Sequence, residues 1–578
     1  MIENQAMSFP GSLHTAIEKE ATLWRESSNV HRLWAKDATL WTGNDEADGL
    51  GWLDIVSAWS TRLHTLDLVR DFVGQGQFTD VLLLGMGGSS LCAHVLAKSF
   101  PEQEGFPSLQ ILDSIDPAQV RRVRDGLHLD RCLFVVSSKT GNTLETNLLY
   151  QSFFDERRKR CGQDAGLQFI AVTDSGSTLH DIAVRDGFAQ IHEGVSSIGG
   201  RYSALSNVGM VPAAMMGLNT ETLIANAKRM VAACGAEVSI EKNPGVMLGL
   251  ALGVGARNGL DKVTIMTSPG LDTFGGWLEQ LLAESTGKMG KGIIPIDSEG
   301  FGSPVDYGSD RLFVYIGIDS RYDVSQDDAV TALEQSGQPV IRINLSDVYG
   351  LSQEFFRWEM ATAVAAAVLQ VNPFDQPDVE AGKVVTRELT DAYEKRGALP
   401  IENPVVEEEG MRLFADESYG AALRKGSGEI ISVQGVLGAH LASLTAGDYF
   451  ALLAFVDTNS KNRELLQDIR RMVRHSTKLA TCLSVGPRFL HSTGQLYKGG
   501  PDTGVFIQIT CDETEDLPVP GRRVTFGIVK AAQARSDFKL LANLNRRVLR
   551  VHLGQDVERG LASLRDSIAA VLRQSKSK

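Results

Sequence analysis

Residues 132–146 read CLFVVSSKTGNTLET. An apolar, β-branched run gives way to a loop of hydroxyls, one lysine and one glycine, and then to a segment with helical periodicity. The same grammar surrounds it. DVLLLGMGG (80–88), LQILDS (109–114) and LQFIAVTD (167–174) are short apolar runs separated by amphipathic stretches. Strands alternating with helices at this spacing predict a doubly wound parallel sheet. In such sheets ligands bind at the carboxyl ends of the strands, which is where SSKTGNT falls.

That loop has the chemistry of an anion site. Ser137, Ser138, Thr140 and Thr143 can donate O–H to phosphate oxygens, and Lys139 lies between them. The helix N-terminus adds backbone donors and about half a positive charge. Plain N-capping needs one hydroxyl rather than four. The preceding strand ends in GMGGSS (85–90), a second loop that lets backbone N–H groups approach an anion. No GK[ST] follows, which excludes a Walker P-loop. A dinucleotide fingerprint would place glycine where Ser90 stands, although Asp113 could mimic its ribose-binding acid. Two separate strand–loop–helix junctions suit one monophosphate better than a dinucleotide.

The pattern continues along the chain. KVTIMTSP (262–269), GIIPID (292–297), RLFVYIGID (311–319) and PVIRINL (339–345) make a second α/β unit. YFALLAFVD (449–457), KLATCLSVGP (478–487), GVFIQIT (504–510) and RRVLRVHLG (546–554) make a third. The expected organisation is a helical region at 1–75 with no strand-like run, α/β units at 76–225 and 226–385, a polar connecting segment at 386–440, and a C-terminal α/β unit at 441–578. Laying YFALLAFVD over KVTIMTSPG sets RHSTKLATCLSVGP opposite AESTGKMGKGIIPI, so the third unit could be a partial duplication of the second, although any two βαβ units share this grammar.

Bulk properties narrow the function. The chain has 578 residues, 43% apolar and 22% charged, with a net charge of −14. Its length suggests several domains. The acidic balance and the lack of basic runs argue against nucleic acid as a partner. Six cysteines without CxxC spacing fit free thiols in a reducing cytoplasm better than disulfides or a zinc site. The N-terminus lacks the pattern of a secretory signal, and no apolar run approaches a membrane span.

Two further segments carry chemistry. In VSSIGGRYSALSNVG (195–209) two glycines precede Arg201, whose guanidinium could stabilise an oxyanion. In WLEQLLAESTGK (277–288) Gln280 and Glu284 are i and i+4 on one helical face, and a carboxylate there could serve as a base.

Taken in order, GMGGS, SSKTGNTLET, GGRYS, QLLAESTGK and NPFDQPDVEAGK (372–383) resemble phosphoglucose isomerase, a family built from two sugar-isomerase (SIS) domains. The resemblance covers roughly residues 30–385 and is nearest to the isomerase part of transaldolase–phosphoglucose isomerase fusions. It implies two SIS domains, to which the strand pattern adds the third related unit. It also implies aldose–ketose interconversion of glucose 6-phosphate and fructose 6-phosphate through a cis-enediolate, without metal or organic cofactor. Phosphate binding would fall to Gly88, Ser89, Ser138, Lys139, Thr140 and Thr143, with Gln280 beside the substrate. Glu284 would be the base, Arg201 the stabiliser of the enediolate, and Lys383 a ring-opening group. Asp378 stands where the family has glycine. The family's histidine motif, LHS-x-GQ, should follow the glutamate, yet SEGFGSPVDYGSDR (298–311) has no histidine. LHSTGQ appears instead at 490–495, which makes His491 the candidate, and His475 the decayed counterpart of Glu284. In the family that histidine comes from a neighbouring subunit of a dimer; here the third unit could deliver His491 from its own chain or from the partner in a homodimer. A sugar-phosphate-binding regulator, a nicotinamide enzyme and an isomerase of another hexose phosphate are the alternatives.

Overall fold

The computed structural model describes residues 4–321, 323–427 and 431–576. The chain divides into two compact units. Unit 1 comprises residues 1–113, 124–301 and 311–376, and unit 2 comprises 114–123, 302–310 and 377–578.

The strands, in chain order, are β1 (Gln5–Ser8), β2 (Asp80–Leu84), β3 (Ser108–Leu112), β4 (Cys132–Ser137), β5 (Phe169–Thr173), β6 (Gln190–Glu193), β7 (Lys262–Thr267), β8 (Ile294–Ile296), β9 (Arg311–Ile318), β10 (Val340–Leu345), β11 (Val406–Glu408), β12 (Met411–Phe414), β13 (Tyr449–Phe455), β14 (Ala480–Val485), β15 (Gly504–Thr510) and β16 (Arg547–His552). Unit 1 holds two sheets. The first runs β3-β2-β4-β5-β6 and is parallel throughout. The second runs β8-β7-β9-β10-β1 and is parallel except for its edge. Every residue of β2, β4, β5 and β9 is buried. Helices cover both faces of such sheets, which is why these strands read as continuous apolar runs.

Unit 2 holds the third sheet, β14-β13-β15-β16-β12-β11, parallel over four strands with two antiparallel strands at one edge. Its four parallel strands repeat the order of the second sheet: β13, β14, β15 and β16 take the places of β7, β8, β9 and β10. The helix after the first strand recurs as well, Phe274–Thr286 in one and Ser460–Thr477 in the other. Glu284 and His475 occupy the same position in these helices, two residues before the last. The antiparallel edge strand is shared too, β1 beside β10 and β12 beside β16. The two sheets thus share a strand order, as the sequence overlay would have it.

One expectation fails at the N-terminus. Residues 1–75 were expected to contain no strand, but β1 pairs with β10 in register Gln5↔Ile343 to Ser8↔Val340. Four residues that alternate between half-buried and exposed, QAMS, leave no apolar run to recognise. The rest of that region is helical, including Gly11–Glu26 and Trp52–Gln75.

A single apolar core fills unit 1, with Trp52, Trp277 and Trp358 among its fully buried side chains. The third sheet has its own core, from Met411 to Leu572. None of the six cysteines, all among the described residues, is in a disulfide. Among the described residues no helix is long and apolar enough to cross a membrane.

Candidate active site

In the first sheet the chain order reverses between the adjacent strands β2 and β4, and loops diverge there to leave a crevice. The two loops that leave these strands are GMGGS and SSKTGNT. They lie side by side: a side chain at Gly85 would come within 3.1 Å of both the Ser137 and the Ser89 carbonyl oxygens.

The SSKTGNT loop is held by its own polar atoms. The Gly141 N–H donates to Ser138 Oγ at 3.1 Å, and Ser138 Oγ lies 3.4 Å from Thr143 Oγ1. Gly141 has φ +74°, and a Cβ there would sit 2.2 Å from the Leu179 nitrogen, so only glycine fits. Thr143 is the N-cap of the helix Leu144–Cys161, yet its side chain makes no capping hydrogen bond. Its hydroxyl faces Ser138 instead, which removes the plain capping explanation. The Lys139 ammonium donates to the Ser196 carbonyl at 2.6 Å.

Gly88 connects this crevice to Arg201. A Cβ on Gly88 would stand 2.2 Å from the carbonyl carbon and oxygen of Gly200 and 2.7 Å from the Arg201 nitrogen. The Ser203 hydroxyl bridges the same two turns, donating to Gly200 O at 2.6 Å and reaching Gly88 O at 3.4 Å. The GGRYS turn is therefore packed backbone to backbone on the first glycine loop.

Arg201 itself is 4% exposed. Its Nη2 donates to the Asp375 carbonyl at 2.8 Å and to Gln376 Oε1 at 2.9 Å. Nη1 lies 3.3 Å from Glu284 Oε1 as an ion pair, and among the described residues no acceptor is aligned on that nitrogen. Glu284 Oε2 accepts from Gln280 Nε2 at 2.9 Å, as the i, i+4 spacing predicts. The helix Phe274–Thr286 that carries both is buried along most of its length. Tyr202, next to Arg201, is buried, and its phenol is held protonated well above the usual range by that burial.

Sequence reasoning passed over Lys288, at the end of the same segment. It is 3% exposed, and its Nζ lies 2.9 Å from Asp375 Oδ1. Burial first, and then the Arg201 guanidinium, push its ammonium down to about 8, against the opposing pull of Asp375 and Glu284. The lysine was visible in AESTGK, but its partner is far away in sequence.

Lys383 and His491 belong to unit 2. Lys383 is exposed on the helix Glu380–Arg396 and pairs with Glu380 at 2.5 Å. His491 ends the short helix Arg488–His491, between β14 and β15. The insertion point matches the one between β8 and β9 in the second sheet, where the family motif was missing. Gln495, four residues after His491, clamps Asp378 on two sides. Its Nε2 donates to Asp378 Oδ2 at 2.6 Å, and its Oε1 accepts from the Asp378 N–H at 3.0 Å. The residue that replaces the family glycine is thus fixed by the histidine motif. Among the described residues there is no cluster of metal-ligating side chains.

Comparison with known proteins points the same way. Residues 67–300 match the family model of phosphoglucose isomerase. A probable glucose-6-phosphate isomerase of Methanococcus maripaludis is 27% identical over 351 residues, spanning 54% of this chain and 78% of its own length. The glucose-6-phosphate isomerase of Synechococcus sp. (strain JA-3-3Ab) is 30% identical over 356 residues, 54% of this chain and 65% of its own. Among solved structures, a glucose-6-phosphate isomerase from Chlamydia trachomatis superposes with a TM-score of 0.56 at 18% identity, over 69% of this chain and 91% of that one, a likeness of fold.

Proposed function

We propose that this chain, whose residues 67–300 match the phosphoglucose isomerase family model, interconverts glucose 6-phosphate and fructose 6-phosphate. The observation that carries the mechanism is the buried pair of Arg201 and Glu284, 3.3 Å apart. Isomerisation moves a proton between C2 and C1 of the open-chain sugar through an enediolate. It needs a base beside the carbon and a cation beside the oxygens.

Glu284 takes the C2 proton and returns it to C1. Gln280 holds the other carboxylate oxygen, so the base keeps one orientation. Arg201 Nη1 faces the developing enediolate oxygen, while Nη2 is anchored on Asp375 and Gln376. The phosphate binds at the crevice between β2 and β4. Ser138, Thr140 and Thr143 supply hydroxyls there, the helix Leu144–Cys161 supplies N-terminal amides and its dipole, and Gly88 and Ser89 supply backbone N–H groups. Lys139 contributes long-range charge. Lys383 and His491 act in opening the pyranose ring, and the working assembly is a homodimer.

A coupled assay for fructose 6-phosphate formation tests the activity. Glu284→Gln should lower kcat by on the order of 10²–10⁴, the range for loss of a general base, with sugar-phosphate binding retained. Near-normal turnover by this variant would refute the mechanism. His491→Ala should slow turnover of cyclic substrate more than enolisation of an open-chain analogue; equal effects would remove its ring-opening role.

A further inference from the structure

Lys288 has no part in that scheme, yet its surroundings give it one. Its Nζ donates to the Ser285 carbonyl at 3.2 Å and to the Asn372 carbonyl, and it pairs with Asp375 at 2.9 Å. Two of those three partners lie on the short irregular stretch Asn372–Gln376. The same stretch supplies both acceptors of Arg201 Nη2, the Asp375 carbonyl and the Gln376 side chain. Asn372 ties its start down further, with its own side chain on Asp45 Oδ1 at 2.8 Å. A guanidinium is a rigid planar fork, so fixing one nitrogen fixes the direction of the other.

We propose that Lys288 is a positioning residue: by pinning Asn372–Gln376 it orients the Arg201 guanidinium so that Nη1 faces Glu284. This rests on the isomerase reading and adds to it a cation that touches no substrate. Loss of the ammonium frees the 372–376 stretch, Nη2 loses its fixed acceptors, and Nη1 swings off the line of the reacting oxygens. Because the arginine acts in the transition state, the damage falls on kcat rather than on binding.

The test uses Lys288→Met, which keeps the buried stem and removes the charge, with Asp375→Asn as the second variant in case the first does not fold. Activity is read with glucose 6-phosphate, and affinity with sorbitol 6-phosphate, which cannot enolise. Each variant should lose about 100-fold in kcat, the scale of an ångström misplacement, while sorbitol 6-phosphate affinity stays within about threefold. The double variant should be no worse than Lys288→Met alone, because the Asp375 pair is one of the links that the lysine makes. A crystal structure of Lys288→Met should show Arg201 Nη1 beyond salt-bridge reach of Glu284, roughly 4 Å. Unchanged kcat, or a crystal structure with the Arg201–Glu284 pair intact, overturns the proposal. If the wild-type chain shows no turnover, the isomerase reading fails by itself, and the position of Arg201 in the Lys288→Met crystal structure still decides the role of Lys288.

Discussion

Arg201 and Glu284 meet at 3.3 Å through one guanidinium nitrogen, while the other nitrogen is committed to Asp375 and Gln376. This two-sided arrangement cannot be reproduced by an ammonium, which is a point charge on a flexible stem. Arg201→Lys should therefore reduce kcat by roughly 10²–10³, the cost of losing one preorganised donor to an oxyanion. Steady-state kinetics will check it; a loss confined to KM would mean that Arg201 serves only in binding.

Gly88 can be no other residue. Adding a methyl group drives it into the Gly200 carbonyl at 2.2 Å, and backbone cannot rotate away as a side chain can. Gly88→Ala should cost about 1–3 kcal/mol of stability by overpacking and should also displace Arg201, whose nitrogen is next in the clash. Thermal unfolding and activity measured on the same sample give the answer. A variant with wild-type Tm and wild-type kcat would show that the two turns are not held as described.

Hydroxyls that bind a charged phosphate contribute about 1.5–3 kcal/mol each. Ser138→Ala and Thr143→Ala should each weaken glucose 6-phosphate binding by roughly 10- to 100-fold on that basis. Inorganic phosphate, as a competitive probe, should lose affinity in parallel. Weaker sugar-phosphate binding with unchanged phosphate binding would place the phosphate elsewhere.

Acid should loosen unit 2 through His440. This side chain is fully buried, its Nδ1 lies 2.8 Å from the Tyr419 hydroxyl, and burial pushes its imidazole down to about 3. In the unfolded chain the same group protonates near 6.5. Below that value the unfolded state binds the extra proton and the folded state does not, so stability falls as the pH drops from about 6.5 towards 3. His440→Gln keeps an acceptor for Tyr419 but cannot titrate. The stability gap between wild type and variant should therefore change by about 1.4 kcal/mol per pH unit in that window. Denaturant titrations at several pH values will show this, and parallel curves would rule it out.

The parallel strands were legible because a strand covered on both faces is written as an unbroken apolar run, as in VLLLG or LFVVS. The edge strands were not. β1 is only four residues, and β11 and β12 lie in a polar stretch where pairing depends on neighbours rather than on composition. Gln280 and Glu284 could be paired from spacing alone, since four residues is one helical turn. Lys288 with Asp375, and Gln495 with Asp378, are separated by long stretches of chain, and nothing local announces such contacts. Lys139 is a different case: its place in the loop is plain from sequence, but its hydrogen bond to the Ser196 carbonyl is made across a distant turn.

The third sheet repeats the strand order of the second, including the reversal between β13 and β15 at which a ligand crevice would open. In unit 2 the ends of these strands are tied by ion pairs to the segment 114–123. Lys530 grips Asp116 at 2.6 Å and Glu513 at 2.5 Å, and Arg122 takes Asp457 with both of its terminal nitrogens, at 2.9 and 2.8 Å. Asp457 and Glu513 follow the ends of β13 and β15, and Asp116 and Arg122 belong to the short segment 114–123. At this switch point the chain's own segment supplies the charged partners of the strand ends, so folding of unit 2 and the place of residues 114–123 are one event.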